Sequence, residues 1–174
     1  MKKTVKKSTS DFCRCYYQYI DIYNSHIIFY YGSKDKCVST VSRFLSHKDK
    51  KVKKEIADDL KKYIGSPENT TDYFCTEYKI DSDQWLLICV GNSYDINDPY
   101  QLSSMSHECL HATIFIARHN EFYEDDGHSE PIAYLHDFIY QVFLRKVKKS
   151  IEKETKHDNT IHRTKTEPGN SEHN

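Results

Sequence analysis

The stretch from Asp98 to Asn120 restricts the possible folds more than any other part of the chain. Asp98-Pro99 reads as a helix start, an N-cap followed by a proline at the first helical position, where its missing N–H costs nothing. From there Leu102, Met105, Cys109, Ala112 and Ile116 recur at steps of three and four, and Leu110, Ile114 and Ala117 widen the stripe. His119-Asn120 closes the segment with a good C-terminal cap. A helix apolar around so much of its circumference has to be covered by other elements. Yet this one also carries His107, Glu108 and His111, and polar groups inside a buried helix need partners.

Residues four apart on a helix lie on one face, one turn above the other, so His107 and His111 can share a single metal ion. Glu108 lies at the edge of that face, where it can reach a water on the metal without ligating it. This is the H-E-x-x-H arrangement, in which two histidines hold zinc and the glutamate acts as general base. With 10 histidines in 174 residues, the five-residue match needs support from its surroundings. Beyond the acidic, glycine-containing loop from Glu121 to Gly127 comes Ser129-Glu130-Pro131. Pro131 fits only the first turn of a helix, so a second helix begins at about His128 or Ser129. Ile132, Leu135, Phe138, Ile139 and Val142 give that helix an apolar face. Two antiparallel helices joined by a short loop can bring Glu130 to the open side of the histidine pair, completing a His₂Glu set. His128 competes with Glu130 as third ligand. Two residues apart on a helix they point to nearly opposite sides, so at most one faces the metal.

The run H-E-C-L-H-A…S-E-P-I-A-Y-L resembles the gluzincin branch of the zincin metallopeptidases, over roughly residues 84–144. In its small size the chain is similar to the phage and prophage proteins with zincin-like cores, sometimes grouped with minigluzincins. The resemblance implies an α+β fold, a small zincin-like metalloprotease domain whose active-site helix is followed by a glutamate-bearing helix. It implies Zn²⁺ on His107, His111 and Glu130, Glu108 as the base, and a protein or peptide substrate. The setting would be cytoplasmic, the host cytoplasm if the protein is phage-encoded. Many gluzincins carry an aspartate four residues after the ligand glutamate, to orient the first histidine; here that position is Tyr134. Tyr134 then becomes a candidate oxyanion donor or ligand-orienting group. The same departure leaves open a second expectation, a catalytically weak or inactive zincin-like binding module. The resemblance also implies a strand beside the cleft, and leaves open whether residues 84–90 form a sheet edge.

The remaining chain reads β-β-α-α before a second strand pair, giving β-β-α-α-β-β-α-α in all. Cys15 to Tyr23 and His26 to Tyr31 form a hairpin, and the helices centre on Cys37–Leu45 and Val52–Ile64. Tyr73–Ile80 and Gln84–Val90 are strands, the second apolar enough to be central or well covered. Residues 1–11 are expected to be a flexible basic arm, 12–150 one domain, and 151–174 a disordered polar tail, too poor in large apolar side chains to pack. His157 and His162 belong to that tail and are not expected as ligands. The basic start is not followed by an apolar segment, so neither a signal peptide nor a membrane span is expected. The six cysteines lack both disulfide-framework and zinc-site spacing and read as reduced thiols. A formal net charge of −1 argues against a nucleic-acid coat. The lysines from Lys48 to Lys54 alternate with acids four apart and read as a solvated helix face. The hairpin tyrosines read as half-buried strand residues.

Overall fold

The computed structural model describes residues 13–47, 50–66, 68, 72–91, 97–121 and 129–164. The elements come in the expected order: β1 (Arg14–Ile20), β2 (Ser25–Gly32), α1 (Lys34–Phe44), α2 (Lys50–Gly65), β3 (Tyr73–Ile80), β4 (Asp83–Gly91), α3 (Pro99–His119) and α4 (Ser129–Thr164). The basic arm and His128 lie outside the described residues. One boundary differs from expectation. Helix α4 does not end near Ser150 but runs on to Thr164, through half of the segment read as a disordered tail. Apolar periodicity fades there, but lysine and glutamate are good helix formers, and the first proline after Pro131 is Pro168.

The sheet is mixed, in the order β1-β2-β4-β3. β1 and β2 form the antiparallel hairpin, with Tyr16 opposite Phe29. Its connection is a 3₁₀ turn over Asp21–Tyr23 ending at Asn24, whose φ of 45° is left-handed. β3 and β4 are joined through Asp81, at φ 58°, and pair antiparallel with Thr76 opposite Leu87. β2 and β4 run parallel, Phe29 beside Ile88. A parallel pair needs a long crossover, and the chain between β2 and β3 supplies it as α1 and α2.

The two central strands are buried on both faces, which is why they read as continuous apolar runs and not as alternations. Ile27, Phe29, Tyr31, Leu86, Ile88 and Val90 face α3 and α4, packing with Met105, Cys109, Ile116, Ile139 and Phe143. Ile28, Tyr30, Trp85, Leu87 and Cys89 face the other way, toward Val41, Ile56 and Leu60 of α1 and α2. Most of these side chains have no accessible surface, and truncating one such Leu or Ile to Ala typically costs about 2–5 kcal/mol. All six cysteines are free thiols; Cys37 and Cys89 approach to 3.8 Å between their sulfurs. At the end of β4 the Gly91 N–H donates to the Asp72 carbonyl at 2.7 Å, and a Cβ on Gly91 would run into that same carbonyl. At the opposite margin Lys146 of α4 donates its Nζ to the Tyr17 carbonyl of β1, 3.1 Å away. Among the described residues no helix is long and apolar enough to cross a membrane.

Candidate metal centre

Helix α3 is set by its ends and by the sheet. Asp98 caps it, its side chain accepting from the Tyr100 N–H at 3.1 Å, with Pro99 in the first turn. At the far end the Asn120 amide donates to the Ile116 carbonyl at 2.9 Å. Met105, Cys109, Ala112 and Ile116 are wholly buried against the sheet. Helical geometry then turns His107, Leu110 and His111 to the opposite, exposed face. There the Nε2 atoms of His107 and His111 lie 3.0 Å apart, with the rings edge to face and their centroids 4.6 Å apart. Burial and the neighbouring His107 hold His111 below the ordinary histidine value, which favours its neutral form.

Glu108, about 100° further round the helix, is 6% exposed. Burial pushes its carboxyl up from the usual range, and His107 pulls it partly back. Its charge in turn helps to raise the thiols of Cys109 and of Cys75 on β3, and the phenol of Tyr63 on α2, all three already raised by burial. Glu108 thus leans to the β3 side of α3, while the histidines face outward. Glu130 stands exposed in the first turn of α4, and Tyr134 is 69% exposed one turn on. Among the described residues no three His, Cys, Asp or Glu side chains gather into a group able to hold a metal. The structure therefore brings His107 and His111 together and leaves Glu130 apart from them. The pair itself fits zinc: Zn–N bonds of about 2.0–2.1 Å at a tetrahedral angle put two nitrogens about 3.3 Å apart.

The sequence reading missed His136. It lies on α4, one turn beyond Ile132, at the rim of that helix's apolar face. With Ser103, Ser106, His107, Leu110, Ile132 and Ala133 it lines a groove of about 600 Å³ between α3 and α4. Its Nε2 is 3.1 Å from the Ser106 carbonyl and 3.2 Å from the Ser106 hydroxyl, and its Nδ1 is 3.4 Å from Asp137 Oδ1. Serine, histidine and aspartate in sequence of contact have the composition of an acyl-transfer triad. The carbonyl excludes that role. It can only accept, so Nε2 carries the proton and cannot take one from the serine.

A fourth imidazole, His26, sits on the other face of the sheet. It stacks on Trp85 at 4.2 Å and lies 4.8 Å from the Tyr19 ring. The Tyr17 hydroxyl and Nδ1 share a hydrogen bond of 2.7 Å, and Nε2 lies 3.6 Å from Asp83 Oδ2. No family model, curated protein or solved structure matches this chain.

Proposed function

We propose that the protein is a zinc-dependent hydrolase of peptide bonds on a zincin-like core, with His107, His111 and Glu130 as metal ligands and Glu108 as general base. The observation that carries the reading is the 3.0 Å approach of two Nε2 atoms on the exposed face of a helix whose opposite face is core. A metal takes the neutral imidazole, the form in which His111 is held. His128 is the competing third ligand.

When bound, zinc supplies Lewis acidity toward water and the scissile carbonyl. Glu108, buried on the β3 side of α3, would have to turn toward the histidine face to take a proton from the attacking water and return it to the leaving amine; burial raises its carboxyl toward the working pH. Leu110, Ile132 and Ala133 give the groove beside His107 an apolar lining for a substrate side chain. Strand β3, which among the described residues pairs with β4 alone, offers backbone groups to an extended peptide. Strand β4, which precedes α3, is interior and does not.

The test is metal analysis of the purified protein together with incubation against an unbiased peptide library. One zinc per chain and cleavage are expected. Glu108→Gln should keep the zinc and lower turnover by about 10²–10⁴. A protein that takes up no divalent metal on titration overturns the reading, and loss of metal in Glu108→Gln would mean that this residue is a ligand. Glu130→Ala should weaken zinc binding far more than His128→Ala; the reverse order makes the site a three-histidine one. Zinc without cleavage by any library member identifies the second reading, a metal-stabilised binding module. The features favouring that outcome are Tyr134, where the family it resembles carries aspartate, and the exposure of Glu130.

A further inference from the structure

We propose that Cys37 and Cys89 form an oxidisable pair, a modification site at which a peroxide joins α1 to the central strand β4 through a disulfide. The inference is independent of the zinc reading and concerns the opposite face of the sheet.

Four of the six thiols gather on that face. Cys15 stands opposite Tyr30 across β1 and β2, and Tyr30 stands beside Cys89 across β2 and β4, so the three side chains share one side of the sheet. Helix α1 lies on this row, and Cys37, near its start, meets Cys89 with 3.8 Å between the sulfurs. Cys13 belongs to the same core cluster, and the half-buried Cys15 packs against it. A disulfide of about 2.05 Å needs the Cys37 and Cys89 sulfurs to close by about 1.8 Å, a movement shared between two side chains. The two residues are 52 positions apart, so the bond would close a long loop and restrict the unfolded chain. One hydrogen peroxide balances the reaction. One sulfur takes a peroxide oxygen as the O–O bond breaks and water leaves, giving a sulfenic acid; the other sulfur attacks it, the S–O bond breaks and a second water leaves. The thiols give up two protons and two electrons between them, and the peroxide takes both. Burial pushes the Cys89 thiol well up, and the hydrogen-bonded Cys37 adds to that rise, so the bond forms slowly at neutral pH and faster as pH rises.

Two thiols that serve only as small apolar groups in the core would stay reduced while the half-buried Cys15 reacts. The experiment treats the folded, fully reduced chain with hydrogen peroxide, blocks the remaining thiols with an alkylating agent, and maps the unreduced peptides by mass spectrometry. Thermal unfolding is recorded before and after. A peptide linked through Cys37 and Cys89 is expected as the main cross-link, with a melting temperature raised by about 5–10 °C and restored by dithiothreitol. Cys37→Ala and Cys89→Ala should each abolish both the cross-link and the rise, whereas Cys15→Ala should keep them. Should either of the first two variants fail to fold, the peptide map of the wild-type chain decides alone. Oxidation of Cys15 with Cys37 and Cys89 left as thiols overturns the proposal. So does a bond from Cys37 to Cys13 or Cys15 in place of Cys89, or a Cys37–Cys89 link that forms only in denaturant.

Discussion

His26 and the His107–His111 pair use the same side chain in opposite ways. His26 lies among Tyr17, Tyr19 and Trp85, and both its nitrogens are answered by the protein, Nδ1 by the Tyr17 hydroxyl and Nε2 by Asp83. His107 and His111 stand on an exposed helix face, and the contact they make is with each other. The first imidazole is held on all sides by its own fold. The second pair brings two nitrogens within 3.0 Å on a face open to solvent. A histidine's partners, more than its exposure or its count in the chain, therefore distinguish the imidazole fixed by its fold from the pair proposed as ligands.

The comparison breaks or sharpens most sharply in metal binding. His107→Ala and His111→Ala should each lower zinc affinity by more than about 100-fold, beyond the range for a supporting residue, while His26→Ala leaves it within about twofold. Chelator competition measures this, and an equal loss in His26→Ala would dissolve the distinction. Stability should run the other way. His26→Ala removes a stacked, hydrogen-bonded ring and should destabilise the apoprotein by about 2 kcal/mol, whereas the exposed His107 and His111 should each cost less than about 0.5 kcal/mol. Denaturant titration separates the two groups.

The smallest effect concerns Glu108. Its folded-state value is raised, so the protonated carboxyl is the form the fold favours. That contribution is fully present below the ordinary glutamate value and is lost as pH rises through the folded one. Glu108→Gln, neutral throughout, should therefore melt a few degrees above wild type at about pH 8, as apoprotein, and match it at about pH 3.5. A wild-type apoprotein that gains on the glutamine variant as pH rises would show that Glu108 is stabilised as the anion.

The eight elements were readable because each leaves a local signature: a 3.6-residue stripe in α1, α2 and α3, and an unbroken apolar run in β2 and β4. Pairing has no such signature. That β3 and not β4 forms the margin of the sheet depends on β4 being inserted beside β2, a contact between residues some 60 positions apart. The length of α4 is not legible from its apolar stripe, because a Lys- and Glu-rich chain keeps its helical propensity after the stripe fades. At the site, the spacing of His107 and His111 is a property of any helix, so their approach could be read from the sequence. Which face Glu108 takes, and how far Glu130 stands from the pair, depend on how α3 sits on β3 and α4. His136 escaped notice for the same reason. Its partner is a backbone carbonyl on another helix, and a carbonyl has no letter in the sequence.

The contact between Lys146 and the Tyr17 carbonyl also bears on how this sheet behaves among other chains. An unguarded two-edged sheet is a template that can be extended from both sides, each added strand presenting a fresh edge to the next. Here a charged side chain occupies an acceptor on the outer rim of β1, where an incoming strand would have to displace it and leave an ammonium group without its partner. The lysine thereby makes the β1 margin a poorer template for an added strand than it would be with that carbonyl free.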